Sequence, residues 1–151
     1  MLLSVALSLM LVVLATSSHL AVLSGLRTAA SGLQTIDSKP ALQRVLARMT
    51  RPALILASVC SHLWTAALFA FGFWLGHTMD LGGFDPAETM GAMDLYNYSV
   101  INMTTLGLGD VRPTGHLRFM AGIESLTGFI LIGCTAQFVF EVLHARDADS
   151  E

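Results

Sequence analysis

Between the polar pair Thr104-Thr105 and the carboxylate of Asp110 the chain reads Leu106-Gly107-Leu108-Gly109. Those residue types at that spacing could perform one specific piece of chemistry. A line of backbone carbonyls can replace the hydration shell of a monovalent cation if consecutive carbonyls turn towards one axis. Ordinary L-residues resist that arrangement, and alternating glycines relieve it, because glycine accepts positive φ without a Cβ clash. Gly107 and Gly109 alternate with Leu106 and Leu108, and the hydroxyl of Thr105 at the start can supply one more oxygen. Glycine-rich turns between helices are common, so the surrounding elements decide what this stretch is.

Those elements are membrane-like. Of 151 residues, 54% are hydrophobic and only 13% charged, too apolar for an ordinary soluble domain. The apolar residues are blocked into Met1–Leu26, Ala53–Gly76 and Leu117–Phe140. At the helical rise each covers about 36–39 Å, enough to cross a hydrocarbon core of roughly 30 Å. Met1–Leu26 lacks a basic leader and a small-x-small cleavage site, and reads as a retained span. Arg27, Lys39, Arg44, Arg48 and Arg51 gather in the 27–52 connector, whereas His77–Met93 has no Lys or Arg and carries Asp80, Asp85 and Glu88. The positive-inside rule makes the connector cytoplasmic. The N-terminus is then outside and the C-terminus cytoplasmic, in a multi-pass protein of the cell membrane. Topology explains the basic residues, so no nucleic-acid partner is expected. Cys60 and Cys134 fall within spans and read as buried, inert thiols.

Around the glycine-rich stretch the pattern is asymmetric. Ala92–Thr104 is an apolar segment of roughly 18–20 Å as a helix, too short to span but suited to re-entering from outside. Its C-terminal carbonyls would favour a cation at the membrane centre. Irregular backbone at that depth is tolerated only where protein buries it or water lines it. Asp85-Pro86-Ala87-Glu88 has the form of a capped helix start. From Ala41, residues Leu42, Val45, Leu46 and Met49 make one apolar face of a basic amphipathic helix, the form of an interfacial element. His19 and His62 read as residues hydrogen-bonded to neighbouring helices.

Thr105-Leu106-Gly107-Leu108-Gly109-Asp110, with the half-helix before it and Pro113 three residues after the aspartate, resembles the selectivity filter of potassium channels. The resemblance covers residues 53–140: outer helix 53–76, outer loop 77–91, pore helix 92–104, filter 105–110 and inner helix 117–140. The whole chain resembles small prokaryotic ion channels with one extra span, here 1–26, before that module; a short tail, 141–151, follows. The resemblance implies an all-α membrane protein: three transmembrane helices plus a re-entrant pore helix and filter, assembled as a homotetramer in the lipid bilayer. It implies potassium ligated by the carbonyls of Thr105, Leu106, Gly107 and Leu108, with Gly109 completing the filter, and a hinge at Gly128. No cofactor is implied, potassium being the permeant ion. No span carries an arginine ladder, and the residues after Phe140 are too few for a ligand domain, so a voltage- and ligand-independent leak is expected.

Two positions depart from that family. Ile101 stands where many members carry a pore-helix Glu, and Leu108 replaces a Tyr whose hydroxyl braces the filter. Glu124 is the candidate replacement brace, because a carboxyl there is costly unless paired. It is expected to bond to Thr104, Asn102 or filter amides and to make conduction respond to pH, with Asp110 as further support. A weakly selective cation channel and a non-conducting membrane subunit are alternatives. Gly107-Leu108-Gly109-Asp110 also resembles the G-x-G-D sequence of intramembrane aspartyl proteases. The first two spans hold no Asp or Glu to complete such a pair, and the expectation is a non-enzyme.

Overall fold

The computed structural model describes the backbone of residues 1–34, 40–86, 90–107 and 110–148. Side chains are described except at 30, 31, 33, 34, 40–48, 50, 51 and 143–148. Lys39, Glu88, Leu108, Gly109 and residues 149–151 therefore lie outside the described residues, as does the apolar face expected at Leu42, Val45 and Leu46.

The protein is an all-α membrane protein. Helix α1 is Leu2–Gln34, α2 is Pro40–Thr78, α3 is Ala92–Met103 and α4 is Leu117–Ala148. Segments Leu2–Ala29, Pro52–Thr78 and Leu117–Val142 are long and apolar enough to cross a membrane. Asp85 sits in a two-residue strand, β1 (Phe84–Asp85), antiparallel to β2 (Arg112–Pro113), and the helix start expected to follow it falls on residues 87–89, outside the described residues. The helix expected from Ala41 is not a separate element. The backbone continues as one helix through Pro52.

Each long helix buries one stripe. On α1 this is Ser4, Leu7, Ser8, Leu11, Ala15 and His19, at spacings of three and four. Ser4 and Ser8 turn their hydroxyls back to the carbonyls of Met1 and Ser4 at 2.7 and 2.8 Å, so small polar residues enter the interface without orphan donors. On α2 the stripe runs Leu54, Ser58, Ser61, Thr65, Phe69 and Phe73. Ile55, Leu56, Val59, Trp64, Phe71 and Trp74 on the same helix are exposed, as suits a surface that meets lipid. Cys60 and Cys134 lie on such exposed surfaces rather than in the core, because neither falls on its helix's buried stripe.

Helix α1 packs against both α2 and α4. The Met1 amine lies 3.4 Å from His116 Nε2 just before α4, and Arg27 pairs with Glu141 near its far end. Hence α1 and α4 run in the same direction, side by side. At the outer-loop end, the Thr114 N–H donates to the Gly83 carbonyl and the His116 N–H to the Leu81 carbonyl, both at 2.8 Å. The loop before α3 is thereby tied to the segment after the glycine-rich stretch. Tyr98 of α3 packs edge-on against Phe73 and Phe84 at 5.2 and 5.4 Å between ring centroids, fixing the height of α3 on α2.

Candidate functional site

The half-helix α3 has 12 residues, about 18 Å. Its start is capped by the Asp94 carboxylate, which accepts the Gly91 N–H at 2.9 Å. Leu95, Ser99 and Met103, one turn apart, form its buried stripe.

The far end of α3 closes in a complete Schellman motif. The Thr105 N–H donates to the Asn102 carbonyl at 3.0 Å and the Leu106 N–H to the Ile101 carbonyl at 3.3 Å, with Thr105 in the left-handed region at φ 59°. Glycine normally fills that position, and a β-branched threonine there is strained. Gly107, two residues on, is also left-handed at φ 63°. Positive φ thus alternates at Thr105 and Gly107; the sequence suggested Gly107 and Gly109, of which Gly109 lies outside the described residues. The Ile101 and Asn102 carbonyls are taken up by the cap, leaving fewer free helix-end carbonyls to face a cation than expected. Leu106 is 61% exposed, and a Cβ on Gly107 would meet nothing within 4 Å, so this backbone stands clear of its own chain.

Behind it lies a buried polar network. Glu124 of α4 is fully buried. Ser99 Oγ donates to its Oε1, and Asn102 Nδ2 donates to its Oε2 at 2.5 Å and to the Ala121 carbonyl at 2.9 Å. Ser125 Oγ donates towards the Asn102 carbonyl at 2.9 Å, with Asn102 Oδ1 at 3.0 Å. Both carboxyl oxygens and the Asn102 amide are therefore engaged, and the last two turns of α3 are stitched to α4. Of the residues expected together, Asn102 meets Glu124. Thr104 does not: its hydroxyl donates at 2.9 Å to the Ile101 carbonyl of its own helix. Asp110 is exposed and takes no hydrogen bond from the described residues. Ser99 and Ser125 were missed. The readable signal was that Ser99 and Asn102 are three apart, on the α3 face shared by Leu95 and Met103.

Gly128 lies one turn beyond Glu124. A Cβ there would come within 2.9 Å of the Met103 carbonyl carbon and closer still to its oxygen and to Cγ of the same residue. The absence of a side chain lets α4 touch the C-terminal end of α3. Whatever motion Gly128 permits, its place in the fold is this contact.

A family model described as "Ion channel" matches residues 55–145, more than half of the chain, and spans the outer-helix segment, α3, the glycine-rich stretch and most of α4. The chain belongs to this ion-channel family. It carries the family's two-span potassium-channel pore module, with an additional apolar helix, α1, before it. No curated protein and no solved structure matches the chain. The buried Glu124 network ties the half-helix α3 to α4 directly before the glycine-rich stretch.

Proposed function

We propose that four copies of the chain surround one central pore and conduct potassium passively and selectively, and that the chain is not an enzyme. The ligands are the carbonyls of Thr105, Leu106, Gly107 and Leu108, with the Thr105 hydroxyl at the inner end and Gly109 completing the filter. The observation that carries the reading is the alternation of left-handed φ at Thr105 and Gly107 directly after a half-helix. Alternating hand turns neighbouring carbonyls to one side, whereas a uniform strand points them to opposite sides. One chain supplies one such row, and a dehydrated cation needs several. The open side of Leu106 and Gly107 is where the other copies contribute theirs.

The basic connector sets the orientation: cytoplasmic connector and C-terminus, outer loop and N-terminus outside, in the cell membrane. Glu124 and Asn102 support the filter from behind, Asp110 at its outer mouth, and Gly128 combines close contact with the flexibility of a hinge. Weak selectivity is the second reading, favoured by Leu108, which has no hydroxyl to brace the filter. Native mass measurement of the protein in lipid nanodiscs tests the assembly. A four-chain mass is expected; a monomer or dimer contradicts the pore.

A further inference from the structure

Between the three spans, in their half nearer Ala29, Pro52 and Val142, lies a polar cluster that the pore does not use. His19 of α1 is fully buried. Its Nδ1 lies 2.8 Å from Ser61 Oγ of α2 and its Nε2 3.0 Å from Thr135 Oγ1 of α4. His62 Nε2 of α2 approaches the same Thr135 Oγ1 at 3.1 Å, and the two imidazole centroids are 4.7 Å apart. His62 Nδ1 is buried without a partner among the described residues. Thr16, Ser58, Thr65 and Thr127 turn their hydroxyls back on the carbonyl four residues earlier, whereas Thr135 presents its hydroxyl to two rings from two other helices.

We propose that His19, Ser61, His62 and Thr135 form a one-proton site that clasps α1 to the inner helix α4, so that proton uptake tightens the clasp and slows conduction. The count of hydrogens supports it. With both rings neutral, an unbroken run of donors passes from Ser61 Oγ to His19 Nδ1, from His19 Nε2 to Thr135 and from Thr135 to His62 Nε2, so His19 accepts on one side and donates on the other, while the N–H at His62 Nδ1 has no partner among the described residues. One added proton makes His19 a donor on both sides. Ser61 and Thr135 then both accept, and Thr135 still donates to His62, so every contact is kept and two become charge-assisted. A second proton would place two like charges 4.7 Å apart away from water, which excludes it.

No other titratable group competes at this spot among the described side chains. On α1 the next is Arg27, two turns away and paired with Glu141 of α4. On α4, Glu124 lies three turns towards the filter and is bound to α3. The α2 span carries no Asp, Glu, Lys or Arg, and the neighbouring thiols Cys60 and Cys134 are exposed.

The conduction half of the proposal rests on the pore reading above; the proton site does not. The test is nuclear magnetic resonance of isotope-labelled histidine in nanodiscs between about pH 5 and 8. His19 and His62 are expected to titrate together with one midpoint and one proton between them. Thr135→Val, which keeps the shape and removes the shared hydroxyl, is expected to split them. In liposomes, acidification is expected to lower potassium flux by roughly fivefold, the lower end of ordinary coupling between two sites. His19→Gln and His62→Gln are each expected to abolish that response. Two separate midpoints in the wild type, or none, overturn the proton site. A shared midpoint with an acid response that survives His19→Gln and His62→Gln overturns the coupling. Absence of flux at every pH with a shared midpoint overturns the pore reading and leaves the proton site standing.

Discussion

Gly128→Ala adds one methyl group where α4 meets the end of α3, and the structure fixes how badly it fits. The new carbon would sit 2.9 Å from the Met103 carbonyl carbon, half an ångström short of ordinary contact at 3.4 Å, and nearer to the oxygen. These are backbone atoms held by helix α3 and its Schellman cap, so they cannot swing aside as a flexible side chain would. Either α4 moves away from α3 or the last turn of α3 unwinds. Overpacking of this kind costs about 1–3 kcal/mol. Moving α4 outward also lengthens the contacts of Asn102 with Glu124 and the Ala121 carbonyl, now 2.5 and 2.9 Å. The glycine-rich backbone begins two residues beyond Met103 and moves with it. Thermal unfolding in detergent and ion flux in liposomes should both report the change: a lowered midpoint and reduced or less selective flux. Wild-type values of both would refute the claim that this contact positions the conducting backbone.

Other perturbations separate the parts of the site. Glu124→Leu keeps most of the volume but leaves the Ser99 hydroxyl and one Asn102 N–H without an acceptor, at about 1–3 kcal/mol for each group left buried and unsatisfied. Glu124→Gln retains one oxygen for Asn102 while Ser99 turns to accept, so it should be the milder change in a denaturation series; equal stability of the two variants would count against the network. Gly107→Ala meets no steric obstacle, since nothing lies within 4 Å, yet it must hold φ near 63°. It should cost about 1–2 kcal/mol of local strain and show up as lost ion selectivity with little change in thermal stability. Unaltered selectivity would place the conducting carbonyls elsewhere.

Much of the architecture was legible because the membrane imposes coarse rules. Apolar runs long enough to span, and a half-length run between two of them, define three helices and a half-helix without tertiary information. The polar network was only half legible. Glu124 announced itself as a carboxyl in an apolar helix, but its partners depended on the rotation of α3. Asn102 and Ser99 face it, while Thr104, one turn past Val100 at the helix end, bonds back to Ile101 instead. Thr105 was only partly legible. Its side chain suggested an oxygen ligand, and nothing in its type announced that its backbone also terminates α3 in a conformation usually left to glycine. Asp85 also pairs with Arg112, a contact between segments 27 residues apart that no local pattern encodes. The two histidines were readable as interhelical residues one at a time; that they converge on Thr135 is a property of how three helices pack.

The central claim, that the alternating backbone after α3 selects potassium, is tested most directly by ion flux. Purified protein in liposomes would be given outward potassium or sodium gradients in parallel, at equal protein density. Rapid potassium flux with little sodium flux is the predicted result. Equal fluxes would contradict the selective filter, and no flux of either ion from a protein of four-chain mass would contradict conduction through it.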